Sequence, residues 1–460
     1  MNLFGLFKKT PHPASDPPKA MYDGAQAVRR LLNWSPANTG PKAQGASLNV
    51  LRRRASDLYR NNPIARAAID KLVEDSVAGG IGCRPDAAIK ERLRQGMVQS
   101  FEDWALDADA DQSTDFYGQQ AVVMREMLIA GEVLALLEPL DTSSGIRLRV
   151  RVIESDHLPL GQRDLGNGHR LIDGIELNPQ GQRVAYHLYA QHPGDGQANL
   201  SDIRRIEARR VLHIYEARRP GQLRGESLLS PVLARLKNLD EFDDAVLERQ
   251  KLANLFMAFI RRPAPEFDAV GAALDPLPMN LEPGAVHELL PGEDMTFAEP
   301  PHAEGYEGFT REQQRRIAAA LGIPYFLLSG DYTEVNDRTA RVALTAYRRR
   351  VLQLLRNTLI PRFVRPVREA WVDAAMLAGI LPSNILASTL KRTHYVPEAW
   401  QYINPVQDIN AEVIAINNGL KSRSESLLER GRDIESVDAQ RKNDRQRARD
   451  MGLEDQAHGR

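Results

Sequence analysis

Between Leu228 and Ile260 the sequence runs through one helical pattern without a glycine. Its only proline, Pro231, stands in the first turn, where a missing N–H costs nothing. Arg261-Arg262-Pro263 ends the pattern. The spacing predicts a rod of roughly 45 Å, and that length sets the scale of whatever the chain builds. The segments beyond the rod are set apart by charge. Residues 264–307 hold ten acidic side chains and no lysine or arginine, whereas residues 338–368 hold nine arginines and no acid. Over the whole chain the signs cancel, with 60 basic and 61 acidic residues. Any DNA contact therefore has to come from local segregation rather than from a basic coat.

Within the acidic block, Ala285 to Leu290 and Met295-Thr296-Phe297 read as two strands joined by Pro291-Gly292-Glu293-Asp294, which makes a small folded module. A helix is expected over Thr310 to Leu321, with Thr310 and Gln313 as a capping box and Gly322 and Pro324 as its stop. Ser329 to Asp337 reads as a polar loop. Pro361 and Pro366 lie inside the arginine-rich helix and predict a bend there. Smaller helices follow Met376, with a turn at Asn404-Pro405, breaks near Gly419 and Gly431, and a charged tail from Asp438 to Arg460.

Upstream, residues 21–77 carry a helical pattern, and Asn61-Asn62-Pro63 marks a helix start. Gly79, Gly80 and Gly82 end that helix without forming a phosphate cradle, because no Lys-Ser or Lys-Thr follows. From about Leu128 to Ile214 short apolar runs alternate with Gly, Pro and Asp breaks: Val133 to Leu137, Leu148 to Ile153, Val184 to Tyr189. The fold class is α+β, mostly helical, in roughly two to four domains.

Several chemistries are poorly supported. The single cysteine, Cys83, rules out a disulfide within one chain or a cysteine-based zinc site, fits a reducing cytoplasm, and reads as a small buried residue. Asp107, Asp109, Asp111 and Asp115 suggest a calcium loop, but Gln112 replaces its turn glycine and Gly118 its bidentate glutamate. Five of the ten histidines lie between His157 and His213 without an H-E-x-x-H spacing, and read as polar positions on half-exposed strands. The N-terminal stretch Met1 to Ala20 reads as a disordered arm. Pro382-Ser383-Asn384 interrupts the longest uncharged run, Ala374 to Leu390, leaving it short of a membrane span. The sequence contains no phosphate-loop motif, Glu-x-Lys or G-x-S-x-G. No catalytic, cofactor or metal residue is assigned, and an enzyme is not expected.

Several segments match a known family in wording and order. They are Gly174-Ile175-Glu176 with Gly181 and Ala185-Tyr186-His187, Val211 to Tyr215, and Arg218-Arg219-Pro220-Gly221-Gln222-Leu223-Arg224-Gly225-Glu226-Ser227. Leu281-Glu282-Pro283-Gly284, Leu289 to Glu293 and Ile317 to Tyr325 continue the series. Over about residues 20 to 450 the chain resembles the lambda-type portal proteins of tailed bacteriophages. It departs from that pattern at Asn336-Asp337-Arg338-Thr339-Ala340-Arg341, where a Tyr-Ser-Ser-x-Arg-like segment often stands.

The resemblance implies an arm (1–20), a wing (21–228), stem helices (229–262 and 309–323) and a clip (263–308). A tunnel loop (324–340), a kinked basic helix (341–377) and a crown with a charged tail (378–460) complete it. It also implies a closed ring of about twelve subunits at one capsid vertex of the virion, assembled in the bacterial host cytoplasm. Double-stranded DNA would pass through it during packaging and ejection without sequence-specific contact. The implied partners are the large terminase subunit, the major capsid protein and scaffold, and head-completion adaptors, with no membrane. A non-ring connector adaptor and an atypical DNA-processing enzyme are the competing readings.

The candidate site follows from the chemistry of a channel. Each arginine–phosphate contact adds affinity through counterion release, so a lining rich in such contacts would stall translocation. Asp331, Tyr332, Thr333, Glu334, Val335 and Asn336, in the tunnel loop that the resemblance implies, are assigned to the narrowest point; an ordinary surface loop is the alternative if the chain is a monomer. Arg338, Arg341, Arg348, Arg349, Arg350 and Arg356 are assigned either to DNA or to acids of a neighbouring subunit such as Asp240, Glu241, Asp243 and Asp244. Glu282, Glu288, Glu293, Asp294 and Glu299 are assigned to the acidic clip, facing either the lumen or else solvent or a basic terminase surface.

Overall fold

The computed structural model describes residues 39–40, 45–196, 199–253, 258–261, 294–297, 305–430, 432 and 434–452. Met1 to Ala20 and the clip residues Glu282, Glu288, Glu293 and Glu299 lie outside them. The body opens with α1 (Gly45–Asn61) and α2 (Pro63–Val77). Asn62 caps α2 by accepting from Ala65 N at 2.8 Å, with Pro63 in the first turn as the sequence predicts. Strand β1 (Gly82–Pro85) and helices α3 (Glu91–Ala105) and α4 (Phe116–Ala130) follow. The aspartates before α4 organise their own loop. Asp109 accepts from the backbone of Asp111, Ser113 and Thr114, and Asp115 caps α4 through Gly118 N at 2.7 Å.

Two antiparallel sheets make up most of the β content. In one, β2 (Glu132–Glu138) lies between β3 (Arg149–Glu154) and β9 (Val211–Tyr215). The other is a meander of β4 (Gln162–Gly166), β5 (His169–Ile172), β6 (Ile175–Leu177), β7 (Arg183–Tyr189) and β8 (Ile203–Glu207). The apolar runs expected to be strands lie in β2, β3 and β7, except that Leu148 precedes β3. Aromatic rings join the helices around this body. Phe101 and Trp371 meet edge to face at 5.3 Å, Phe116 stacks on Phe363 at 5.8 Å, and Trp104 donates to Leu148 O at 2.9 Å.

The long helix is shorter than its sequence pattern. Helix α5 runs over Leu233–Ala253, and Ala258–Arg261 forms a strand, β10, antiparallel to β11 (Asp294–Phe297). Periodicity cannot separate a short apolar run such as Phe256 to Ile260 from a helix end. Its pairing partner is far away in sequence, so the local pattern misled. The strand expected at Met295 to Phe297 is present, but its described partner is β10; Ala285 to Leu290 lies outside the described residues.

Helix α6 (Tyr306–Leu321) also starts earlier than expected, after Gly305 at φ +80°. Thr310 therefore sits inside the helix and forms no capping box; the Gln313 side chain instead accepts from Arg235. After α7 (Tyr325–Ser329), α8 (Asp337–Leu354) passes through a π-helical stretch, Leu355–Val364, into α9 (Arg365–Leu377). Pro361 lies inside that stretch. Its ring cannot accommodate an ordinary i−4 hydrogen bond, and the wider turn is the local response where the bend was expected. The C-terminal part comprises α10 (Ala387–Leu390), β12 (Thr393–Val396), α11 (Pro405–Asn417), α12 (Arg423–Glu429) and α13 (Ile434–Asp450), with β12 paired to β1.

One buried carboxylate ties these layers together. Glu132, at the start of β2, is fully buried and accepts from Arg224 Nε at 2.8 Å, Gly225 N at 2.7 Å and His213 Nε2 at 2.8 Å. Arg52 from α1 completes the set. Close backbone approach brings the donors in. A Cβ on Gly131, at φ +94°, would lie 2.3 Å from the Glu226 carbonyl carbon, and one on Gly225 would lie 2.1 Å from Gly131 O. Burial alone would raise the Glu132 carboxyl, but Arg224, then Arg52 and His213, hold it well below the usual carboxylate range. Burial pushes His213 down to about 4 against the pull of Glu132.

Replacing Glu132 by Ala would remove the buried carboxylate shared by two guanidinium groups, leaving Arg52 with Asp156 and Arg224 with backbone carbonyls alone. We expect it to lower stability by roughly 3–5 kcal/mol in denaturant unfolding. An unchanged unfolding midpoint would show that the cluster does not hold the body together.

Candidate functional site

The loop expected at the narrowest point is short and well anchored. Gly322 (φ +72°) and Gly330 (φ +71°) take the left-handed conformation that ends α6 and α7. Between Gly330 and α8, Asp331 accepts from Thr333 N at 3.1 Å and Thr333 Oγ1 at 2.6 Å, and Thr333 holds its carboxyl below the usual value. Glu334 reaches back to α6, pairing with Arg311 at 3.3 Å and Arg315 at 2.8 Å. Asn336 caps α8 by accepting from Thr339 N at 2.9 Å, while Asn336 N donates to Thr339 Oγ1. That capping box is written in the sequence as Asn336-Asp337-Arg338-Thr339, the segment that departs from the family wording. Tyr332 remains at the tip, 58% exposed, with Phe326 at 5.9 Å between ring centroids.

The arginines divide in a way the sequence did not show. Arg350 forms two hydrogen bonds to Glu216, at 2.7 and 3.1 Å. Arg341 pairs with Asp408 at 3.4 Å, and Arg348 lies over Trp400 while donating to Gln401 O at 3.0 Å. Arg362 lies 4.2 Å from the Tyr215 ring centroid. Arg368 is fully buried between Phe101 and Trp371, and burial pushes its guanidinium down to about 10. These arginines bind their own chain, an alternative to both DNA and a neighbouring subunit. Arg338, Arg349 and Arg356 are exposed and have no hydrogen bond or ion pair among the described residues. Consecutive arginines on a helix point about 100° apart, so Arg348, Arg349 and Arg350 diverge as they must.

The acids proposed as neighbour contacts divide too. Asp240 accepts from Asn62 at 2.6 Å and Asp243 from Tyr306 at 3.0 Å. Glu241 is exposed beside Lys237, and Asp244 is exposed. Of the clip acids, Asp294 lies at the start of β11, opposite Arg261 in the strand register.

The histidines are engaged across strands rather than along helices, which is why helical spacing missed their carboxylate partners. Glu176 binds His169 and His187 at 2.9 Å each and Arg205 at 2.8 Å. Arg205, then His187 and His169, lower its carboxyl to about 2 against the effect of burial. Glu154, Asp156 and His192 also converge, with His192 Nε2 3.0 Å from Glu154. Gly194 N donates to His192 Nδ1 at 3.0 Å, which places the neutral ring's proton on Nε2, facing the carboxylates. That tautomer leaves no Nε2 lone pair for a cation, and Nε2 approaches Glu154 without forming a hydrogen bond to it. Nearby Glu126 is pushed up to about 7 by burial, then by Glu154 and Asp156.

The family described as phage portal protein, lambda family, matches residues 28–354. The chain belongs to the lambda family of phage portal proteins. It is 24% identical over 425 residues to a probable portal protein of Halomonas phage phiHAP-1, covering 88% of this chain and 81% of that protein. It is 22% identical over 484 residues to portal protein B of Escherichia phage lambda, covering 92% and 89%. A chain in the solved neck of a native gene transfer agent particle is 16% identical and covers 83% of this chain and 94% of its own, with a TM-score of 0.47. The family's Arg218–Ser227 wording now has a physical basis. The Gln222 side chain gathers Arg218 N and Arg219 N and donates to Arg224 O, delivering Arg224 and Gly225 to Glu132.

The half-buried Arg350–Glu216 pair connects the portal's basic helix to the end of β9. A double-mutant cycle with Arg350→Ala and Glu216→Ala should give a coupling of roughly 1 kcal/mol or more in denaturant unfolding. Strict additivity would contradict a direct contribution of the pair.

Proposed function

We propose that this portal protein assembles as a closed ring of about twelve copies at one capsid vertex, with double-stranded DNA passing through its axis during packaging and ejection. Its role is structural rather than catalytic. The observation that carries the ring is α5. Beyond Leu239 the helix has no buried residue among its described side chains up to Lys251, and Phe242 and Leu247 are exposed. Helix α6 covers one side of this stretch, where Phe242 meets Tyr306 and Phe309 and Asp243 accepts from Tyr306; the sides left open in one copy are completed by neighbours in a ring.

In this reading the tip around Tyr332 projects into the channel, and Glu334 braces it on α6 through Arg311 and Arg315. Few cations face the DNA, because Arg341, Arg348 and Arg350 are occupied within the chain. Arg338, Arg349 and Arg356 are the assigned arginines available to phosphate or to a neighbour. The acidic 264–307 segment serves as the face that docks terminase and later head-completion adaptors. Contact with the major capsid protein and scaffold belongs to the same proposal.

Deleting Asp331 to Val335 while keeping the Asn336 cap tests the loop's role. Rings should still form, and packaging or retention of DNA should fall sharply in an in vitro packaging reaction. Normal packaging by intact mutant rings would remove the loop from the mechanism.

A further inference from the structure

We propose that the outward face of α11 is a contact between neighbouring copies of this chain; the proposal rests on the ring reading. The helix is mounted with its polar side inward. Asp408 pairs with Arg341 at 3.4 Å and accepts from Asn404 N at 3.1 Å. Glu412 takes Tyr402 Oη at 2.7 Å, Arg430 at 2.9 Å and Lys421 at 3.2 Å. The opposite side exposes Val406 (71%), Ile409 (47%), Val413 (48%) and Ile414 (60%), and Leu420 continues the stripe at 82%. No side chain of α11 is buried.

A helix in a soluble domain ordinarily turns such a stripe into the core. Here the bonds to Asp408 and Glu412 hold it outward. Every exposed side chain from Pro405 to Leu420 is uncharged, which narrows the partner. Phosphate has no cation to meet there. A lipid surface would need basic residues beside the stripe, and Lys421 is committed to Glu412 and Glu429. The matching surface is another uncharged, apolar protein face.

Size points to a second copy. Thirteen residues of helix span about 20 Å, and so few apolar side chains fall well short of the roughly 800 Å² per partner typical of a free-standing interface. The face cannot hold a free partner by itself, but it suits one part of the larger head-to-tail contact that repeats around a ring. The outward side of α8 extends it, since Arg341–Asp408 joins the two helices and Val342 is 69% exposed.

Two measurements on the full-length protein test this. A photoreactive benzoylphenylalanine at Val413 should give covalent ladders on irradiation, with mass spectrometry finding this chain's peptides on both sides of the crosslink. Ile409→Glu with Val413→Glu should leave the melting of the single chain unchanged, because neither residue is buried, yet reduce the native mass to that of one or a few copies. An intact ring carrying both glutamates overturns the proposal, as do Val413 crosslinks confined to one chain, to lipid or to another protein. An unsubstituted chain that never forms a ring overturns the ring reading and this contact together; a ring indifferent to α11 overturns this contact alone.

Discussion

The buried Glu132 cluster is the constraint from which the rest of the body follows. One carboxylate, with no access to water, binds Arg52 of α1, His213 of β9 and the Arg224-Gly225 turn. A charge in that position is tolerable only when every partner is in place. The α1 helix, the three-stranded sheet and the turn that leads into α5 therefore take one mutual arrangement. The glycines at 131 and 225 permit it, because no side chain fits where the two backbones meet.

The second constraint is the continuous helix from α8 through the π-helical stretch to α9. It carries the arginine block, and most of that block is neutralised or stacked within its own chain. For a channel this is favourable chemistry. Positive charge that braces the fold through Glu216, Asp408 and aromatic rings is not free to grip passing phosphates. The helix also connects distant parts of the chain: Tyr347 donates to Asp75 of α2 at 2.8 Å, and Arg362 approaches the ring of Tyr215.

Much of this was legible in the sequence, and the limits have physical causes. Helix α2 declared itself through Asn62-Pro63, and strands β2, β3 and β7 through short apolar runs between breakers, because those signals are local. The family resemblance came from glycine and proline wording that encodes turns. Most of what failed depended on distant partners. Ala258 to Ile260 looked helical because its strand partner lies far along the sequence, inside the acidic segment. Thr310 resembled a cap, but Gly305 starts the helix earlier. No local pattern distinguishes Arg350, bound to Glu216, from Arg349 beside it, which is exposed. The inward mounting of α11 was hidden for the same reason, since Lys421 and Arg430 approach Glu412 only in three dimensions.

The central claim is that this portal chain closes into a ring. Light scattering of the purified full-length protein, with negative-stain images of the same sample, tests it most directly. The account predicts a mass of about twelve chains and a central hole. A single-chain mass at every salt concentration, with or without scaffold present, would contradict it.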